Sequence, residues 1–165
     1  MNRRQFLFVM SGAALLGAAQ TGHAESGEQT SAEFVEELYN KQARLHAANT
    51  PLGENEFYAL FARELRQIMR APRRYPKNEP IGPLLHAFFG WGVLPGAEVK
   101  KIGKVAFVSG SAGGPATVSV GVDYRGEHHM VLVRVVMESE VWRIADISYD
   151  SGTSLADHYR KITRR

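Results

Sequence analysis

Cysteine is absent from the 165 residues of this chain. That excludes a disulfide framework, a thiolate nucleophile, a cysteine-ligated metal or cluster, and a cysteine on which a lipid anchor is built. Metal-ligand spacing is missing too. There is no His-Glu-x-x-His or comparable pattern, so a metal site needs scattered ligands, and no metal or other cofactor is expected. The uncharged run from Phe6 to Ala19 is interrupted by Gly12 and Gly17 and falls short of the roughly twenty residues of a bilayer span. No internal repeat is present. Excess charge of one sign is also lacking. Twenty Lys and Arg stand against 17 Asp and Glu, for a formal +3, and loss of Arg3 and Arg4 with the first 24 residues lowers it to +1. So near-neutral a chain is not expected to bind nucleic acid.

The first 24 residues read as an export signal. Arg3-Arg4-Gln5-Phe6-Leu7 opens the uncharged run, and Gly22-His23-Ala24 presents small residues for cleavage after Ala24. The Arg-Arg-x-Phe-Leu pattern resembles a twin-arginine signal, and an ordinary secretory signal is the alternative. Either route makes the export machinery a partner and a soluble periplasmic domain the expected product. Residues 25–29 are polar and are expected to form a loose lead before a single domain over 30–165.

Helical spacing dominates the first half. Thr30 and Glu33 form a capping-box pair ahead of Phe34, Val35, Leu38, Tyr39, Gln42 and Leu45. After Asn49-Thr50-Pro51-Leu52-Gly53, Asn55 is placed to cap a second helix with the stripe Phe57, Tyr58, Leu60, Phe61, Leu65, Ile68 and Met69, ended by Pro72. Five prolines between Pro72 and Gly96 predict an irregular apolar segment with at most one short helix.

The period then changes to two. Residues 104–109, 116–124, 128–137 and 141–149 are rich in valine, isoleucine and aromatics and are separated by glycine-containing or polar turns, which predicts an antiparallel meander. In the second of these, Ala116, Val118, Val120, Val122 and Tyr124 share one face while Thr117, Ser119, Gly121 and Asp123 share the other. Ser154, with Asp157 three residues on, predicts the cap of a final helix.

This order predicts an α+β fold with N-terminal helices packed on a four-stranded twisted antiparallel sheet and a C-terminal helix. The segment from Val141 through Trp142-Arg143-Ile144-Ala145-Asp146-Ile147 to Gly152-Thr153-Ser154-Leu155 resembles the ending of exported bacterial NTF2-like (cystatin-like) domains, a family of unknown function. It is more distantly similar to periplasmic phospholipid carriers of the Mla/toluene-tolerance type, in which a Tyr-Arg pair follows, as Tyr159-Arg160 does here. The resemblance covers about the last sixth of the chain and implies a cone-shaped fold.

Candidate chemistry is sparse. Gly152-Thr153-Ser154-Leu155-Ala156 lacks the final glycine of a nucleophile elbow, and a helix cap explains Ser154 better. Gly110, Gly113 and Gly114 are followed by neither lysine nor helix and read as a hairpin loop. His128 and His129 point to opposite faces of a strand and cannot grip one ion together. Asp146 is the one candidate catalytic residue. Sharing a strand face with Trp142 and Ile144 gives an acid a raised pKa and suits a general base of the kind some NTF2-like enzymes carry inside the cone. The structural reading is preferred, in which Asp146 points to a bulge or bonds backbone near the last helix. Nothing in the local sequence around His46, His86 or His158 makes any of them a sharper candidate.

The expected function is a binding module for a small apolar or lipid-like ligand, in a pocket formed by Phe57, Phe61, Trp91, Tyr124, His129, Trp142 and Asp146. Arg63, Arg66 and Arg70 on one side of the second helix suit transient contact with an anionic membrane surface. Alternatives are a small cofactor-independent isomerase or dehydratase, and an envelope accessory factor that binds another protein.

Overall fold

A computed structural model describes residues 24–72, 85–91, 99–111, 113–124 and 126–163. Residues 1–23, which carry Arg3 and Arg4 of the expected export signal, and most of the proline-rich stretch lie outside the described residues. The elements run α1 (Ala24–Ala47), α2 (Glu54–Ala59), α3 (Arg63–Arg70), β1 (Leu85–His86), β2 (Gly90–Trp91), β3 (Val99–Gly110), β4 (Ala116–Tyr124), β5 (Glu127–Glu138), β6 (Val141–Tyr149) and α4 (Leu155–Thr163). The fold is α+β, with β3 to β6 forming a four-stranded antiparallel meander in sequence order and β1 pairing with β2 in a small separate hairpin.

The alternation in β4 has the expected consequence. Ala116, Val118, Val120, Val122 and Tyr124 are buried, and they meet Val131, Val133 and Val135 of β5 and Ile144, Ile147 and Tyr149 of β6 in one core. Helix α1 lies across β3 and β4 and contributes Val35, Leu38 and Tyr39. Phe61, Leu65, Met69, Phe88 and Leu155 close the core from the other segments. Each large apolar side chain withdrawn from water contributes roughly 1.5–3 kcal/mol.

Three local expectations are corrected. Helix α1 reaches back to Ala24, so residues 25–29 are helical rather than a loose lead and Thr30 lies inside the helix rather than at its cap. Once packing of Val35, Leu38 and Tyr39 nucleates a helix, extending it costs little per residue. The single helix expected from Asn55 is instead two, and α2 is capped by Gly53. The break falls at Leu60-Phe61-Ala62, where the chain runs alongside the free edge of β6. Ala62 N–H donates to Ile144 O at 2.8 Å, and Ile144 N–H donates to Leu60 O at 2.9 Å. These two bonds satisfy an exposed strand edge, which a continuous helix leaves open. In place of a short helix, the region around Phe88 is the β1–β2 hairpin, with Leu85 opposite Trp91 and His86 opposite Gly90.

Pro72 ends α3 as expected, with Ala71 held in extended conformation. The N-terminal caps are of two kinds. Asp157 N–H donates to Ser154 Oγ at 3.2 Å, as its sequence spacing predicts. The first amide of α3, Arg63 N–H, donates to Glu138 Oε1 at 2.9 Å, a carboxylate 75 positions away at the end of β5.

Candidate functional site

A hollow opens where the C-terminal end of α1 faces the β1–β2 hairpin. It has a volume of about 360 Å³. Leu45, Leu52, Phe57, Leu85 and Phe88 supply its apolar wall, while Gln42, His46 and His86 supply polar groups. No Asp, Glu, Lys or Arg is among its described lining residues.

Each wall is positioned for a reason legible in the local chain. Gln42 and His46 continue the buried stripe of α1, four and seven residues after Leu38 and Tyr39, so helical spacing carries two polar side chains onto the core-facing side. Gln42 is 6% and His46 9% exposed. His86 is brought opposite by the hairpin, whose turn is tied down by Tyr149. The Tyr149 hydroxyl donates to Ala87 O at 2.6 Å. The turn closes through Gly90, at φ 93°, where an added Cβ meets the Tyr149 ring at 3.3 Å. Burial, then the Asp146 carboxylate and Tyr159, raises the pKa of the Tyr149 hydroxyl far above its ordinary value, so it remains a donor.

The ring of His86 stacks on Phe89 at 4.7 Å and stands edge-to-face with His46 at 5.0 Å. Burial, reinforced by nearby His46, pushes the His86 imidazole down to about 4. It is therefore neutral at ordinary pH. Phe88 N–H donates to its Nδ1 at 3.3 Å, which leaves the ring proton on Nε2. Gln42 Nε2 and His46 Nε2 are enclosed and have no hydrogen-bond partner among the described residues. An unmet buried donor of this kind costs about 1–3 kcal/mol. Behind this wall the Tyr39 hydroxyl is likewise buried and unpartnered, and burial raises its pKa.

The pocket residues expected from the sequence are not brought together here. Phe57 lines the cavity, and Phe61 lies behind it, 5.0 Å from the Phe57 ring and stacked on Phe88 at 6.1 Å. Tyr124 is buried at the end of β4. His129 Nδ1 pairs with Asp150 Oδ2 at 2.8 Å, while His128, on the opposite face of β5, pairs through Nδ1 with Asp123 Oδ1 at 2.7 Å. Trp142 is buried opposite Met137, with no partner for its indole N–H among the described residues. The side chain of Trp91 lies outside the described residues.

Asp146 does not share a face with Trp142 and Ile144. Arg134 pairs with Asp146 and Val135 with Ile144, so Ala145 is an extra residue in β6 and the phase of the strand flips after it. Ile147 and Tyr149 take the buried positions, and Asp146 turns toward α4. Its Oδ1 accepts from Ile147 N–H at 2.9 Å and from Ala156 N–H at 3.1 Å. The carboxylate thus serves as a cap for α4, next to a second hollow of about 290 Å³ lined also by Arg134, Glu138 and Arg160. The preferred structural reading of Asp146 is the arrangement found.

Sequence reasoning passed over Gln42, His46 and His86 as site residues. The available signal was two polar side chains on an otherwise apolar helical stripe. Comparison with family models, with curated proteins and with solved structures finds no match.

Proposed function

We propose that this chain is an exported, soluble periplasmic domain of the NTF2-like type that binds a small apolar or amphipathic molecule in the cavity between α1 and the β1–β2 hairpin. The cavity carries the reading. Its 360 Å³ lies toward the small end of the roughly 300–1,000 Å³ typical of ligand sites, and a mostly apolar wall with a few placed polar groups is their usual make-up. The order of helices, four-stranded meander and terminal helix supports the NTF2-like type, as does the ending from Val141 to Leu155. The paired arginines and the small residues before Glu25 support export. Among the described residues no helix is long and apolar enough to cross a membrane.

Binding is favoured over isomerase or dehydratase chemistry because Asp146 is engaged by two backbone amides and lies outside the cavity. The cavity favours it over a pure accessory factor, whose core has no need of an unfilled hollow. Exposed Arg63 and Arg70 border a shallow basic cleft with Arg66, which supports transient contact with an anionic membrane surface.

Native mass spectrometry of the protein recovered from the envelope of its own cells tests this reading. The expected spectrum shows a chain lacking residues 1–24 and carrying a small bound mass that is released on denaturation. A bare chain overturns the binding reading, a second polypeptide replaces it with the accessory role, and retention of residues 1–24 overturns export with cleavage.

A further inference from the structure

The chemistry of the cavity wall narrows the class of ligand, an inference that rests on the binding reading above. Three observations bear on it. First, no side chain of fixed charge lines the cavity among the described residues, so an ionised ligand group enters with no counter-charge and loses its hydration there. Second, two uncharged polar side chains of the wall, Gln42 and His86, have a donor to offer. Gln42 Nε2 is more than nine-tenths buried with unmet N–H groups, and His86 carries its proton on Nε2 because Nδ1 is committed to Phe88 N–H. Third, His86 is held neutral by burial and His46, so it offers a hydrogen bond rather than a cation. The terminal amide torsion of a glutamine is broad, so Gln42 turns toward an incoming oxygen at small cost.

We propose that the cavity selects an uncharged, mainly apolar molecule bearing a carbonyl-type acceptor oxygen, which receives hydrogen bonds from the Gln42 amide and the His86 imidazole. A ketone, aldehyde, ester or amide fits this description. A carboxylate and an ammonium each lack a counter-ion among the described lining residues, and a hydrocarbon leaves Gln42 unmet.

The test uses four ring compounds of similar size, acetophenone, ethylbenzene, benzoate and benzylammonium, titrated at pH 7.5 into the purified chain and into Gln42→Leu, with binding followed by NMR. Wild type is expected to bind acetophenone about tenfold more tightly than ethylbenzene, and the two ions more weakly than either, one hydrogen bond's difference being of that order. Gln42→Leu is expected to retain ethylbenzene affinity and to bring acetophenone within about twofold of it. Benzoate or benzylammonium binding as tightly as acetophenone overturns the proposal. So does a ketone preference that survives in Gln42→Leu. If acetophenone and ethylbenzene bind equally, only this selectivity fails; if none of the four binds, the binding reading of the cavity fails with it.

Discussion

The imidazole of His46 meets the imidazole of His86 edge-to-face, with ring centroids 5.0 Å apart and planes at 81°. One comes from the last turn of α1 and the other from a two-residue strand forty positions later. Their proximity and shared burial make His86 hard to protonate.

Acid stability follows with a definite sign. His86 takes up a proton near pH 6.5 in the unfolded chain but only near 4 in the folded one. Between these values the unfolded state binds more protons, so the contribution is complete above pH 6.5 and is lost as pH falls toward 4. It is on the order of 3 kcal/mol. Urea unfolding at pH 7 and pH 4 should show a smaller acid loss in His86→Leu than in wild type. His46 faces His86 and contributes to its lowered pKa, so His46→Leu is the control for that part of the effect. An equal acid loss in wild type and His86→Leu contradicts the assignment.

Asp146 is expected to matter for stability through its two amide donors. Asp146→Ala leaves Ile147 N–H and Ala156 N–H without their partner and should cost about 1–3 kcal/mol in urea unfolding. Asp146→Asn keeps an acceptor oxygen and should cost clearly less. Equal losses in the two variants contradict the capping role.

Tyr149→Phe removes the hydroxyl that holds Ala87 O while preserving the packed ring. A cost of about 1 kcal/mol is expected, with faster amide hydrogen exchange confined mainly to residues 85–91. If exchange there is unchanged, the hairpin is held by packing alone.

Two glycines with positive φ separate strain from collision. At Gly110, φ 141°, an added Cβ falls 2.6 Å from Ala116 Cα and Pro115 O, both backbone. At Gly126, φ 83°, it meets nothing within 4 Å among the described residues. Gly126→Ala should therefore cost about 1 kcal/mol from strain alone, and Gly110→Ala more, as measured by thermal unfolding. The reverse order contradicts the close approach at Gly110.

Strand positions were the most legible part of the chain because side chains on a strand alternate strictly. The Ala116 to Tyr124 pattern assigns a buried face without reference to anything distant. Ser154 and Asp157 were legible for a similar reason, since a local cap needs only a three-residue spacing. The cap of α3 was not, because its acceptor, Glu138, is 75 residues away. The bulge at Ala145 was legible only as one of two structural readings of Asp146. Nothing in Ile144-Ala145-Asp146-Ile147 fixes the extra residue until the register against Arg134 and Val135 is known.

By itself, then, the sequence determined the α+β order, the buried face of β4 and the cap of the last helix, since each depends on neighbours a few positions apart. It also determined what the chain cannot use, namely any chemistry of cysteine. Only the tertiary structure decided that Asp146 turns from the core to cap α4, that Leu60–Ala62 seals the edge of β6, and that Gln42, His46 and His86 border one cavity. Those outcomes depend on contacts between segments far apart in the chain, where pairing register and shared burial, rather than local spacing, set which way a side chain faces.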